Sequence, residues 1–178
     1  CESIYSMEGD HAPLKEISNL AKKHKAHLIV DESHSTGLFG DNGSGLVNQL
    51  DIRNQVLCTI HTAGKALGVS GAWIAGSSLL KEYLINFSRG LMFSTAPSPI
   101  QFIMIEEALL HLESSLERSV KVLSRAEYLR NELKCQLADT KAFVLGQNSP
   151  IIPIVLNDND AVLNVFNDSV RKQHRLIA

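Results

Sequence analysis

Leu28-Ile29-Val30-Asp31-Glu32-Ser33-His34-Ser35-Thr36-Gly37 is the stretch whose reading decides the fold. Three apolar residues run straight into an acid, and a histidine follows three positions later. So short an apolar, β-rich run reads as a buried strand of a parallel sheet. Asp31 then ends the strand, with His34 just beyond it. In open α/β sheets ligands bind at that carboxyl edge. The stretch therefore presents a fixed anion and an imidazole where a ligand is expected.

Working outward, Pro13 and Leu14 begin a helix, since proline suits a first turn. Leu14, Ile17, Leu20 and Ala21 recur at helical spacing, and the helix ends in Lys22, Lys23, His24 and Lys25. Helix followed by parallel strand is half of a right-handed crossover unit. After the strand comes a loop from Gly37 to Gly45 with four glycines and the turn pair Asn42-Gly43. A second strand is expected over Gln55–Ile60, a third over Ala72–Gly76 and an amphipathic helix over Leu79–Phe87. Ser94-Thr95-Ala96-Pro97-Ser98-Pro99 breaks the pattern.

Beyond that break Leu109, Leu112, Leu116, Val120, Leu123, Leu129, Leu133 and Leu137 step by threes and fours, with Ala126 filling a gap. This predicts one very long helix or two in line. Strands are expected at Phe143–Leu145 and Ile151–Leu156. A last helix is expected over Asp160–Lys172, with Val162, Leu163, Phe166 and Val170 inward. The organisation read here is α/β. Residues 1–99 form part of a large domain, 100–137 a long connecting helix, and 138–178 the start of a small α+β domain. The first residues look like the end of a strand and Arg175–Ala178 like the start of one, so the chain reads as an internal fragment.

Of the 178 residues, 44% are apolar and 20% charged, as in ordinary globular chains. A net charge of -2 gives no reason to expect nucleic acid or an anionic membrane as partner. The three cysteines, Cys1, Cys58 and Cys135, form neither a disulfide framework nor a paired metal motif. They suit a reducing, cytoplasmic setting. No apolar run is long enough to span a bilayer.

Hydrophobic-Asp-Glu-x-His also resembles the acidic metal-holding motif of nucleic-acid-dependent ATPases. Such proteins need G-x-x-x-x-G-K-[ST] to cradle phosphate. Here Gly64-Lys65 is followed by Ala66, the first glycine position is Thr59, and the order relative to the acid is reversed. Metal binding is not expected either. His24 and His27 have no carboxylate at ligand spacing and read as a solvated pair.

Lys65 is more telling. It lies in Thr62-Ala63-Gly64-Lys65-Ala66-Leu67-Gly68, a small-residue turn straight after a strand. There the sheet edge would desolvate the amine and make it a nucleophile. Asp31, His34 and Lys65 at one edge suit pyridoxal phosphate. That cofactor needs a lysine for its aldehyde, an acid for its pyridine nitrogen and a donor to its phenolic oxygen.

Val30-Asp31-Glu32-Ser33-His34, the glycine-rich loop, Thr62-x-Gly64-Lys65-Ala66-x-Gly68 and Phe93-Ser94-Thr95-Ala96-Pro97 occur in the order and spacing of the α-oxoamine synthases. The chain resembles that family from Ser3 to its end. The resemblance implies a fold-type-I, pyridoxal phosphate-dependent transferase, of which this chain holds the C-terminal part of the large mixed-sheet domain. It implies decarboxylative condensation of an amino acid with an acyl thioester, on CoA or a carrier protein, in a homodimer with shared sites. Lys65 would hold the cofactor aldehyde and move the α-proton. Asp31 would pair with the pyridine nitrogen, and His34 and Ser6 would bond the phenolic side. Thr62 would hold the phosphate, and Ser94 and Thr95 would reach the phosphate of the neighbouring subunit. Read locally, Ser6 is also a plain turn residue, Ser94 and Thr95 are caps for the long helix, and Thr62 is a turn contact.

Within the family, Tyr5–Asp10 and Tyr83–Arg89 look most like members that join L-alanine to a pimeloyl thioester in biotin biosynthesis. Ser33 departs from the alanine common there and looks more like members with other substrates. A non-catalytic subunit would typically lack the lysine, which this chain has. The stacking residue and the carboxylate grip lie outside this region in the family, so the 178 residues alone are expected to be inactive.

Overall fold

The computed structural model describes residues 1–115 and 117–171. Helix α1 spans Leu14–Lys23, strand β1 Ile29–Asp31, and the four-residue helix α2 Leu46–Gln49. Strand β2 spans Cys58–Thr62 and β3 Ala72–Gly76. Helices α3 (Ser78–Phe87), α4 (Arg89–Met92), α5 (Pro99–Glu113) and α6 (Glu117–Gln136) follow. Strands β4 (Phe143–Val144) and β5 (Ile154–Val155) and helix α7 (Asn159–Arg171) complete the described chain.

The main sheet is mixed, in the order β1-β2-β3. β1 runs parallel to β2, with Asp31 beside Ile60, and β3 returns antiparallel, with Trp73 beside His61. The first residues lie along the other side of β1: Ser3 N–H bonds the Asp31 carbonyl and Asp31 N–H bonds the Cys1 carbonyl. The opening of the chain is thus strand-like, as expected. Its last seven residues, including the expected closing strand and Lys172, lie outside the described residues, as do Leu116 and the Val170 side chain.

One core forms from Ile4, Leu14, Leu28, Val30, Phe39, Leu46, Val47 and Ile52. α1 joins it through Leu14, and the Ser18 hydroxyl bonds Gln55, tying the helix to a 3-10 turn at Arg53–Gln55. That turn displaces the start of the expected second strand to Cys58, because Gln55 N–H is already committed to the Ile52 carbonyl.

Other expectations are corrected. Ile29 is exposed while Val30 is buried, so β1 buries one face rather than two, and on α1 Leu20 is exposed instead of inward. The long apolar stretch forms two helices, one of the two expected forms. Ser114 closes α5, its N–H on the Leu110 carbonyl and its hydroxyl on the His111 carbonyl, a local bond that competes with continuing the helix. Leu123 packs on the core and Ala126 is buried, whereas Val120 and Leu129 are exposed. On α7, Val162, Leu163 and Phe166 are about half exposed instead of inward. The paired β4 and β5 offer two residues each, too little surface to cover them. No described helix is long and apolar enough to cross a membrane.

Glu32 pins the glycine-rich loop to the sheet. Its carboxylate is fully buried and accepts the N–H groups of Leu46 at 3.1 Å and Val47 at 2.6 Å, with the Ser35 hydroxyl on the same group. Gly45 makes this possible: its φ is +104°, and a Cβ there would stand 2.7 Å from the Glu32 carboxyl carbon. Glu32→Ala leaves two buried amides without acceptors. It is expected to destabilise the fold by about 3 kcal/mol, read as a lower urea midpoint at unchanged slope.

Candidate active site

β1 ends at Asp31, beside Ile60, and β2 runs two residues further to Thr62. Beyond β1 the Glu32 N–H bonds the Ile60 carbonyl of β2 at 2.7 Å, and the chain then turns back. Ser35 and Thr36 N–H both bond the Glu32 carbonyl, at 3.0 and 2.8 Å. Ser33 N–H bonds the Asp31 carboxylate at 2.8 Å and fixes its orientation. Beyond β2 a second turn forms, with Val69 N–H on the Ala63 carbonyl and Gly68 N–H on the Lys65 carbonyl. Gly37 lets the two turns approach: a Cβ there would meet the Ala66 methyl at 2.8 Å.

Where the turns meet, Lys65 Nζ lies 3.0 Å from His34 Nε2. An ammonium has only protons to give, so Lys65 donates and the imidazole accepts. Burial and the Lys65 charge hold the His34 pKa below its ordinary value, against the opposing pull of Glu2 and Asp31. His34 is therefore neutral near pH 7 and able to accept. The expected desolvation of Lys65 is not found. Its side chain is exposed because the turn carries it off the sheet edge, and its partner is His34 rather than an apolar wall.

The Thr62 hydroxyl is buried and has no hydrogen-bond partner among the described residues. Ser6 lies in an exposed turn. Its N–H bonds the Glu2 carboxylate at 3.1 Å, and the Glu2 charge reaches His34. Ser94 bonds the Gly90 carbonyl through its hydroxyl, and Ser94 and Thr95 are both exposed. Neither caps α5, whose N-cap is Ser98. The structure thus brings together Asp31, His34 and Lys65, with Thr62 on the neighbouring strand end. Ser6, Ser94 and Thr95 make no hydrogen bond to that group.

A cavity of about 370 Å³ opens beside Lys65 and His34, bounded by Leu67, by Leu112 of α5 and by Arg118 of α6. Ser33 also lines it, with a buried hydroxyl that lacks a partner among the described residues. Sequence reasoning missed the roles of Glu32 and His61. His61 is buried, bonds Thr36 and Thr59, and stacks on Trp73 with centroids 5.0 Å apart. The available signal was Thr59-x-His61, two polar residues on one face of a strand.

A family profile described as aminotransferase class I and II matches residues 1–177. The 8-amino-7-oxononanoate synthase of Lysinibacillus sphaericus is 33% identical over 156 residues, 87% of this chain and 39% of that protein. Among solved structures, the 8-amino-7-oxononanoate synthase of Francisella tularensis superposes with a TM-score of 0.82 at 29% identity, over 99% of this chain and 51% of that one. Serine palmitoyltransferase from S. paucimobilis, with a bound pyridoxal phosphate–myriocin aldimine, gives 0.81 at 29% identity, over 89% of this chain and 41% of that one. The chain spans about two fifths of the length of the curated relatives it matches.

His34 and His61 both have pKa values lowered from the ordinary 6.5, in each case chiefly by burial. As pH falls past that value the unfolded chain takes up protons that the folded chain resists. Stability is whole above it and is lost as the pH drops. The urea midpoint is expected to be lower at about pH 5.5 than at about pH 7.5, and His34→Asn to narrow the gap.

Proposed function

The chain belongs to the aminotransferase class I and II family, and from that membership we propose that it forms part of a pyridoxal phosphate-dependent α-oxoamine synthase. The reaction is decarboxylative condensation of an amino acid with an acyl thioester. The favoured substrates are L-alanine and a pimeloyl thioester, on CoA or a carrier protein, giving 8-amino-7-oxononanoate for biotin biosynthesis. The 8-amino-7-oxononanoate synthases among its relatives support this choice. The carrying observation is the 3.0 Å contact between Lys65 Nζ and His34 Nε2 beside Asp31, at the carboxyl ends of two parallel strands.

The donor set fits the cofactor: an amine, an imidazole, an anchored carboxylate, and a buried hydroxyl still lacking a partner among the described residues. Lys65, Asp31 and His34 would hold the ring, with Ser6 on the side of His34. Thr62 would hold the phosphate, and Ser94 and Thr95 that of the partner subunit. When bound, pyridoxal phosphate supplies an aldehyde for an amine and a ring that takes up the electron pair left at the amino acid's α-carbon.

The residues do the rest. Lys65 Nζ removes the α-proton and later returns one. Neutral His34 accepts a hydrogen bond from the ammonium that results and keeps it beside the reacting carbon. Asp31, held by the Ser33 N–H, keeps a negative charge aimed from the end of β1. The shared-site homodimer is supported by exposed Leu91, Met92, Phe93, Ile100 and Phe102 flanking Ser94 and Thr95. Three free cysteines support a cytoplasmic setting.

A second reading, a synthase taking another amino acid and acyl chain, is favoured by Ser33. Ser33 is among the residues that line the cavity beside Lys65, and its hydroxyl is buried without a partner among the described residues. Lys65, in place beside His34, speaks against a non-catalytic subunit.

The test is borohydride reduction of the full-length protein with pyridoxal phosphate, followed by peptide mapping. Label is expected on Lys65, and its absence there refutes the catalytic assignment. Lys65→Ala is expected to lose the label and at least about a thousandfold in condensation rate. A panel of amino acids and acyl thioesters, L-alanine with pimeloyl thioester first, then separates the two readings.

A further inference from the structure

His61 is a buried titratable group for which the reaction above has no use. Its ring lies between two hydroxyls: Nδ1 is 2.8 Å from Thr36 Oγ1, and Nε2 is 2.8 Å from Thr59 Oγ1. Trp73, its cross-strand neighbour on β3, covers one face with planes 4° apart. Counting protons fixes which atom gives to which. Thr36 Oγ1 is 2.7 Å from the Glu32 carbonyl oxygen, and two oxygens that close need a proton between them. The carbonyl has none, so the single Thr36 hydroxyl proton is spent there. Thr36 can then only accept from the ring, and Nδ1 must carry hydrogen. In the neutral imidazole Nε2 is an acceptor, so Thr59 donates to it. The bonds run one way, from Thr59 through His61 and Thr36 to the Glu32 carbonyl. Bonds aligned in this manner polarise and strengthen one another.

This chain of bonds joins the two arms of the site. Thr59 and His61 belong to β2, which leads to Lys65, while Glu32 and Thr36 bracket the turn that carries His34. We propose that His61, as the neutral Nδ1–H tautomer, is a positioning residue that clamps the Glu32–Thr36 turn to β2 and thereby sets the contact between His34 and Lys65. Beside the backbone bond from Glu32 to Ile60, the clamp adds a side-chain tie two residues beyond His34. The proposal rests on reading Lys65 and His34 as the reacting pair. The His61 ring bonds Thr36 and Thr59, not His34 or Lys65, and so acts through the turn.

The experiment has two parts, both on the full-length protein. In ¹⁵N-histidine-labelled protein, the His61 ring is expected to show a protonated Nδ1 and an unprotonated accepting Nε2 near neutral pH. A ring protonated on Nε2 instead overturns the proposal. This readout needs neither cofactor nor turnover. The second part compares three substitutions by kcat and KM. An asparagine amide occupies the place of Nδ1–H, so His61→Asn keeps the donor to Thr36. Its kcat is expected to stay within about threefold of the parent. His61→Gln places its amide at the Nε2 end, and His61→Phe has no donor. Both are expected to lose roughly tenfold to a hundredfold in kcat with KM for the amino acid little changed, as misplacement of a reacting group does. Equal loss in Asn and Phe, or none in Phe, overturns the proposal. If the parent protein shows neither borohydride label nor condensation, the functional reading fails, and the ring tautomer still decides whether the clamp exists.

Discussion

The buried carboxylate of Glu32 is the constraint on which the other parts of the site depend. A charge with no exposure must find donors inside the protein or the fold does not form. Glu32 finds them in the Leu46 and Val47 amides and the Ser35 hydroxyl, which bend the glycine-rich loop back onto the end of β1. Its backbone serves as well: the N–H bonds β2, and the carbonyl gathers the amides of Ser35 and Thr36 and the Thr36 hydroxyl. One residue thus fixes the loop, the neighbouring strand and the turn bearing His34. Gly45, whose missing Cβ leaves room for the carboxylate, is a consequence of the same demand.

Chemistry appears where that scaffold ends. Asp31 is held by the amide of Ser33, and His34 by a turn that has little freedom left. Lys65 arrives from the next strand, exposed and touching His34. Burial depresses the proton affinity of the histidine, so the neutral acceptor faces the amine. The anion and the acceptor come from the end of β1 and the turn after it, the amine from the turn after β2, and the parallel pairing of β1 with β2 brings them into one place.

Parts of this were legible in the chain itself. Leu28–Asp31 read as a strand because apolar β-formers end abruptly at an acid, and Ala72–Gly76 was found with its observed bounds. The small-residue run after Thr62 located the lysine turn. Other parts were not legible. Whether Lys65 is buried depends on the path of the turn rather than on its composition. The stripe on α7 was read as inward because periodicity reports that a helix has two faces, not that anything covers one of them. Whether the long stretch is one helix or two was left open, and the break at Ser114 was not located, because the leucines keep step on both sides of it.

The sequence by itself determined the order of the main strands and of the longer helices, though not the short helices α2 and α4, and it singled out the acid, imidazole and amine at the strand ends. These follow from local pattern: side-chain period, turn chemistry, and residue types that few positions tolerate. Tertiary structure decided the role of Glu32, the tautomer of His61 and the 3.0 Å approach of Lys65 to His34. Each depends on hydrogen-bond partners 14 to 31 residues away, apart from the local Thr36 bond that starts the proton count. A pattern along the chain reports what a residue is. Which donor faces which acceptor is settled only when the strands pair and their backbone groups find partners.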